Sequence, residues 1–253
     1  MNNKVSRRKI ITAGLASAAG VAGLAAAAKI ADHYGLLAPD YQSVLGAGEA
    51  LTYGAQRILM SRHSMARVFN RSEMSKVTPV NHVHPDDELY EGLLAEKFEG
   101  WRLKVDGMVA RPGAFSLSEL KRMPSRSEIT MLVCEEGWSF IAEWTGVQLS
   151  YLLNLVGASP KAKWVVVYPL DDFWGSMDMP EALHPQTLLS YAMNGADLSA
   201  NHGAPIRLRI PRQLGYKNLK FLYRLTVTDS LKNIEDGNGS GAPEIGYSWY
   251  AGI

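Results

Sequence analysis

What is scarce in this chain of 253 residues narrows its chemistry before any motif is read. It has one cysteine, Cys134. A single thiol makes no internal disulfide, no Cys-x-x-Cys-His haem attachment and no cysteine set for an iron–sulfur cluster. Any electrons the chain handles must pass to or from a separate carrier. There is no internal repeat. Net charge is also small, with 26 Lys and Arg against 25 Asp and Glu, a formal +1. Even that excess sits at one end. Residues 1–28 hold Lys4, Arg7, Arg8 and Lys9 and no acid, so without these four cations the +1 becomes −3. The body therefore lacks the basic patch that nucleic-acid binding needs. Apolar residues at 47% and charged residues at 20% are those of a globular chain with a sizeable core, in one large domain or two small ones.

The basic leader is a specific targeting signal. Ser6-Arg7-Arg8-Lys9-Ile10-Ile11 has the twin-arginine pattern. An Ala- and Gly-rich apolar run follows to Ala28, with small residues at Ala26 and Ala28 suited to cleavage. Read as a membrane span, the run is barely long enough and weakly hydrophobic. The expectation is export of the folded chain to the periplasm, with 1–28 as signal peptide, or an anchor where the leader is uncleaved. A leftover thiol in an oxidising compartment then calls for burial or metal ligation.

Helical spacing over Ser43–Ser72, free of proline, predicts that 29–78 forms a helical extension packing across the main domain. Its Arg57, Arg62, Arg67 and Arg71 are expected on a solvated face. His82 and His84, between Pro79 and Pro85, lie on an extended loop and could ligate a metal or make hydrogen bonds. A short helix with an acidic first turn is expected over Asp86–Lys97. The alternation of Trp101–Val109 predicts a strand ending at an Asp106-Gly107 turn. Ser116 or Ser118 should cap a helix stopped by Pro124. Trp144–Val147 reads as a turn into an apolar helix closed by Gly157. Lys163–Tyr168, Leu208–Ile210 and Leu222–Asp229 read as strands, and Met179–Ala182 and His184–Asn194 as helical pieces. Strands and short helices mix without a β-α-β period, which predicts an α+β fold. Asp236–Gly241 is a loop, and the aromatic tail Tyr247–Tyr250 should fold back onto the body.

Cys134 follows an apolar run, Ile129–Val133, and precedes Glu135, Glu136, Gly137 and Trp138. A thiol at a strand end can be a small buried hydrophobe, a nucleophile with a nearby base, or a thiolate ligand to a soft metal centre.

Three segments together resemble the sulfite-oxidase family of molybdenum enzymes. They are Cys134-Glu135-Glu136-Gly137-Trp138 with Trp144-Thr145-Gly146; His184–Leu189 with Tyr191–Gly195; and Asn201-His202-Gly203-Ala204-Pro205-Ile206-Arg207-Leu208 with Gly215–Lys220. The likeness runs from about Asn81 to Asp229. It implies a mostly β, α+β domain over 79–230, short peripheral helices, a tail over 231–253, and one Mo-molybdopterin whose metal is bound by Cys134. Asn81, His82 and His84 fall in the family's first pterin-binding loop, as hydrogen-bonders rather than metal ligands. His202 stands where relatives commonly have Asn. Arg207, Lys217, Asn218, Leu219 and Lys220 fall at pterin-contact positions, where fixed cations suit a phosphate.

The Cys-x-Glu-x-Trp pattern is closer to the exported bacterial branch that reduces methionine sulfoxide in proteins. Glu136 would disfavour an anionic substrate and could relay a proton, or it could pair with Arg102 or Arg126 and be structural. Where family members often place a substrate-facing tyrosine, Phe173 or Trp174 stands; the resemblance makes Cys134, Glu136 and Trp174 the candidate catalytic residues. The implied activity is oxygen-atom transfer, with sulfoxide reduction ahead of sulfite oxidation. A non-catalytic pterin-binding subunit and a cofactor-free binding domain are the alternatives outside that class. The 24 residues after Asp229 are too few for the C-terminal domain of larger sulfite oxidases. The expected redox partner is a membrane cytochrome b subunit or a soluble periplasmic cytochrome c, and the expected state is a monomer.

Overall fold

Two five-stranded sheets carry the chain in the computed structural model, which describes residues 47–60, 63–81, 83–232, 234 and 239–253, with Gly23 and Ala26. The remainder of the leader, His82, Arg62 and part of the Asp236–Gly241 loop lie outside the described residues. The strands are β1 (Arg102–Gly107), β2 (Gly113–Ser116), β3 (Ser125–Val133), β4 (Ser139–Gln148), β5 (Trp164–Pro169), β6 (Gly175–Asp178), β7 (Leu188–Met193), β8 (Ala196–Asp197), β9 (Arg207–Arg209) and β10 (Leu222–Thr228). The helices are α1 (Ala47–Leu59), α2 (Glu88–Ala95), α3 (Leu117–Arg122), α4 (Leu149–Val156) and α5 (Met179–Ala182). One sheet runs β2-β1-β10-β5-β6; the other runs β3-β4-β7-β8, with β9 also on β7. All pairs are antiparallel except β1 with β10. This is an α+β fold with short helices at its edges.

Sequence pattern explains where each sheet turns its faces. In β3, Glu128, Thr130 and Leu132 point inward while their neighbours stay more open, the period of 2 expected of a strand. β5 is buried on both faces. Val165 and Val167 enter the main core with Leu103, Val105, Leu225 and Leu189, and Trp164 and Val166 enter a second cluster with Tyr53, Trp249 and Tyr250. A strand covered on both sides loses its alternation, hence the unbroken Trp-Val-Val-Val run. The aromatic tail does fold back, through Trp249 and Tyr250.

Local capping follows the sequence. Asp87 accepts from Tyr90 N at 2.7 Å and starts α2. Ser116, rather than Ser118, caps α3 by a reciprocal box with Glu119. Gly157 ends α4 in the left-handed region at φ 68°.

Three expectations fail for tertiary reasons. Helix α1 ends at Leu59, and residues 66–75 run beside β3 and β4, interrupted only by a 3₁₀ turn at Arg71–Glu73, with Phe69 N bonded to Ile129 O and Ser75 N to Ile141 O. Trp144–Val147 is strand, not turn, and His184–Asn194 contains β7 rather than a helix. Both belong to one pairing. Leu188–Ser190 is held between Gly146–Gln148 and Arg207–Arg209. A Cβ at Gly146 would fall 2.2 Å from Leu189 O, so the glycine admits the neighbouring strand. Pairing on both sides overrides weak helical propensity.

Arg57 is the fourth correction. It is 5% exposed, not solvated, and its guanidinium pairs with Asp178 and Glu181. Arg212 pairs with Glu181 from the other side at 2.8 Å. Two buried cations thus meet two buried carboxylates where α1 docks. Replacing Arg57 by Leu leaves Asp178 without its cation and should cost about 3–5 kcal/mol in urea unfolding. The double variant Arg57→Leu/Asp178→Asn should recover part of that loss; a single variant as stable as the parent would refute the pairing.

Burial also pushes the buried His184 down to about 4 from 6.5. The unfolded chain therefore takes up this proton first. Its neutral-state stability is complete above about pH 6.5 and is lost as pH falls towards 4. His184→Gln should flatten the urea midpoint against pH across that window, and an unchanged slope would contradict it.

Candidate functional site

Strand periodicity delivers the thiol. Cys134 follows Glu128, Thr130 and Leu132 on the buried face of β3, one residue past the strand's end. The chain then turns through residues 134–138 into β4. Cys134 N donates to Trp138 O at 2.8 Å and Gly137 N to Cys134 O at 3.2 Å. The thiol is 3% exposed. Its pKa is pushed up to about 11, first by burial and then by Glu135 and Glu136, against an opposing backbone N–H at Glu136. The protein by itself keeps this sulfur protonated, and metal coordination is what would ionise it.

Three loops converge on it. The first is the segment 66–81, fixed at its start by Ala66 and Gln186 exchanging two hydrogen bonds (2.7 and 3.1 Å) and near its end by Thr78 O facing His202 Nε2 at 3.3 Å. It brings Asn81 Nδ2 to 3.9 Å from Cys134 Sγ. The second is Asn201-His202-Gly203, where Ser199 Oγ holds His202 Nδ1 at 2.9 Å. The third is residues 210–220, whose Gly215 lies against the thiol residue. A Cβ at Gly215 would stand 3.2 Å from Cys134 Cα and 3.3 Å from Val133 O, a tight fit that would push the two segments apart by a few tenths of an ångström.

Two connected spaces result. A small chamber of about 30 Å³ is lined by Cys134, Asn81, Trp138, His202, Arg207 and Gly215. A cleft of about 320 Å³ shares Asn81, Arg207, Gly215 and Lys220 with it. The cleft's outer walls are Phe173, Leu219, Tyr216, Ile245 and Tyr247, with Glu135 and Asp171 as its carboxylates. Its size suits a small-molecule site.

The inner wall is rich in cations. Arg207 and Arg209 alternate with Leu208 and so share one face of β9, both over the Trp144 ring at 5.0 and 5.2 Å. Arg207 donates to His202 O and Asn218 O, both at 3.0 Å, and its Nε has no partner among the described residues. Burial pushes Arg207 down to about 10 and Arg209, with Arg207 beside it, to about 9. Lys220 is pushed to about 8, by burial and then by Arg207. Arg207 and Arg209 form no ion pair among the described residues. Buried cations facing neutral oxygens fit an anionic ligand with phosphate or thiolate character. Among the described residues no group of three or more His, Cys, Asp or Glu converges on a metal-ligand set, so a metal at Cys134 would draw its other ligands from a bound organic group or water.

The residues singled out from sequence divide in two. Asn81, Cys134, His202, Arg207, Leu219 and Lys220 line these spaces. Asn218 stands at the cleft, but its side chain is spent on structure: Oδ1 accepts from Arg209 Nη1 and Ile210 N, and Nδ2 donates to Gln213 O and Leu214 O. His84 is turned away, stacked on Tyr90 at 5.6 Å with Nδ1 3.3 Å from Glu91, and only its backbone N–H reaches Asn201. Lys217 points inward to Ser176 O at 2.9 Å and over Trp249, lining a separate small cavity. Glu136 is exposed and accepts from the Trp138 indole at 2.8 Å, with neither Arg102 nor Arg126 as its partner. Trp174 stacks on Tyr168, and it is Phe173 that faces the cleft.

The reading missed Glu135, whose Oε2 is 3.5 Å from Cys134 Sγ and accepts from Tyr216 N at 3.3 Å. It also missed Arg209, which the Arg-Leu-Arg alternation signals, and the cleft-facing Tyr216, Ile245 and Tyr247, which no local pattern signals.

The chain is similar in sequence to known proteins. The oxidoreductase molybdopterin binding domain family matches residues 92–233. A protein of Azospira oryzae provisionally named protein-methionine-sulfoxide reductase subunit YedZ1 is 38% identical over 194 residues, 77% of this chain and 70% of that protein. The protein-methionine-sulfoxide reductase catalytic subunit MsrP of Xanthomonas axonopodis pv. citri is 34% identical over 151 residues, 53% of this chain and 47% of that subunit. The chain thus spans about half the length of that relative. Among solved structures, the sulfane dehydrogenase SoxCD from Paracoccus pantotrophus is similar with a TM-score of 0.48 at 25% identity, over 54% of this chain and 43% of that one. With the matched residues running through Cys134, Arg207 and the 210–220 loop, the chain belongs to the oxidoreductase molybdopterin-binding domain family and is a molybdopterin-dependent oxidoreductase.

Proposed function

We propose that the chain reduces a sulfoxide by oxygen-atom transfer, with molybdenum held by the Cys134 thiolate and by molybdopterin. The observation that carries the reading is a buried thiol opening into a cleft with cations at its inner end and apolar walls outside. Arg207 and Lys220 would hold the cofactor's anionic groups, with Asn81 and His202 donating to it. When bound, the molybdenum centre supplies the two-electron oxygen-atom chemistry.

The chain's own groups do the rest. Glu135 Oε2 stands beside the thiol and is placed to take the proton released as the thiolate forms. Phe173, Leu219, Ile245 and Tyr247 give the substrate an apolar wall that excludes water. Glu135 and Asp171 at the cleft favour a neutral sulfoxide over an anion such as sulfite. Phe173 has no hydroxyl, and the Tyr216 hydroxyl is engaged with Ser248 O at 2.6 Å. Electrons come from a separate carrier, a membrane cytochrome b subunit or a periplasmic cytochrome c. Two relatives named as subunits support a partner. The twin-arginine leader supports a periplasmic site of action. Among the described residues no helix is long and apolar enough to cross a membrane.

Purified from a host that makes the cofactor, the parent should carry stoichiometric molybdenum and reduce sulfoxides with reduced viologen. Cys134→Ala should lose the metal and at least about 100-fold in rate, since even outer partners of a metal ligand cost 10–100-fold. A molybdenum-loaded parent that turns over no sulfoxide would sink the reading.

The anion site is tested without the metal. In cofactor-free protein, pyrophosphate at about 100 times its Kd should stabilise by about 2.7 kcal/mol. At about 2–4 °C per kcal/mol this is a clear rise in Tm. Arg207→Gln should shrink that rise; an equal rise in the variant would place the anion elsewhere.

A further inference from the structure

Part of the cleft's outer wall lies beyond the family's matched residues. Residues 92–233 supply the thiol, the cations and Phe173, while Ile245 and Tyr247 lie beyond them. Ala242–Ile245 is a single 3₁₀ turn that places both side chains on the cleft. Tyr247 stacks on Tyr216 with ring centres 4.9 Å apart and planes 22° from parallel. Yet Tyr247 is 37% exposed and Ile245 61% exposed. An isoleucine and an aromatic face thus stand open at the mouth of a cleft whose other outer walls are Phe173 and Leu219.

Two sets of contacts hold this wall. Next to it in the chain, the tail lies along the 212–216 loop. Ser248 O accepts from Tyr216, Leu214 N donates to Ala251 O at 2.9 Å, and Ile253 N donates to Arg212 O at 3.0 Å. Behind the wall, α1 clamps the tail that follows it, at Trp249, Tyr250 and Gly252. Tyr53 meets Tyr250 edge-on at 5.4 Å and Trp249 at 5.8 Å, Arg57 sits 4.5 Å over the Tyr250 ring, and Gln56 Oε1 accepts from Gly252 N at 2.9 Å. Helix α1 also lies outside the matched residues. Segments from the two sides of the matched domain therefore meet to position one face of the site.

We propose that the segment Ala242–Tyr247, continued by a tail that α1 clamps, is the substrate-selecting wall, and that Tyr247 and Ile245 give a preference for sulfoxides bearing an aromatic or bulky apolar group. The stacked tyrosine pair offers a flat ring face, and offset or edge contacts with it favour an aryl substituent. A small polar sulfoxide gains little from either side chain. The proposal rests on sulfoxide reduction as the reaction, and α1 acts as a positioning element rather than as part of the chemistry.

The test compares methyl phenyl sulfoxide with dimethyl sulfoxide in molybdenum-loaded enzyme driven by reduced viologen. The ratio of their kcat/KM values should fall roughly 10-fold or more in Tyr247→Ala and by less in Ile245→Ala, the scale of losing apolar contact in a pocket. The loss should sit in KM for the aryl substrate. Calorimetric titration with methyl phenyl sulfide reads the same wall without turnover and should weaken in parallel. Gln56→Ala, a mild change behind the wall, should lower the ratio in the same direction and speed hydrogen exchange at residues 247–252. Sulfoxides reduced with an unchanged ratio in both wall variants would overturn the wall and leave the reaction standing. Aryl-sulfide binding that weakens in Tyr247→Ala, in a parent that reduces neither sulfoxide, would uphold the wall and remove the reaction.

Discussion

The four hydrogen bonds of the Asn218 side chain are what the rest of the site depends on. They tie β9, the 210–214 turn and Arg209 into one body, and the backbone of Gly215 is thereby pressed against Cys134. Asn218 O also accepts from Arg207, so the same residue orients the guanidinium that faces the chamber. A buried amide with every donor and acceptor used is rigid, because each bond lost would leave an unsatisfied group in a low-dielectric interior. Preorganisation at the thiol comes from this loop together with the sheet beneath it.

Charge is arranged in two buried groups with opposite logic. Beneath α1, Arg57 and Arg212 meet Asp178 and Glu181 directly, and the group is closed on itself. At the chamber Arg207, and behind it Arg209, donate to carbonyl, hydroxyl and amide oxygens and form no ion pair among the described residues. The first group holds segments of the chain together. The second is electrostatically incomplete until an anion arrives, which is the property a cofactor-binding wall requires. Formal charge near zero conceals both, since it counts residues and not their partners.

Much of the fold could be read locally. The capped helices α2 and α3, the Gly157 stop and the strands β1, β5 and β10 follow from caps, breakers and periodicity, all of which act over a few residues. The strand identities of Trp144–Val147 and of β7 could not, because Gly146 and Leu189 must meet across the sheet before either is strained or satisfied. Arg57 was misplaced for the same reason. A cation on an apolar helix reads as solvated until Asp178, 121 residues away, is brought to it. At the site, the resemblance pointed to Cys134, Arg207 and Lys220, which do line the cavity. It could not tell Glu135 from Glu136 or Phe173 from Trp174, because adjacent residues point to opposite sides and the turn decides which one faces in.

The sequence by itself determined the reactive atom and its chemistry class: one cysteine, at the inward phase of an alternating strand, within three motifs of a molybdenum family. Alternation with a period of 2 and the uniqueness of the thiol are properties of the chain alone. Only the tertiary structure decided what surrounds that atom. The orientation of the carboxylate beside it, the cations that face neutral oxygens, and the wall contributed by residues 242–247 are set by contacts between segments far apart in sequence. Such contacts depend on loop closure and packing, and no local pattern encodes them.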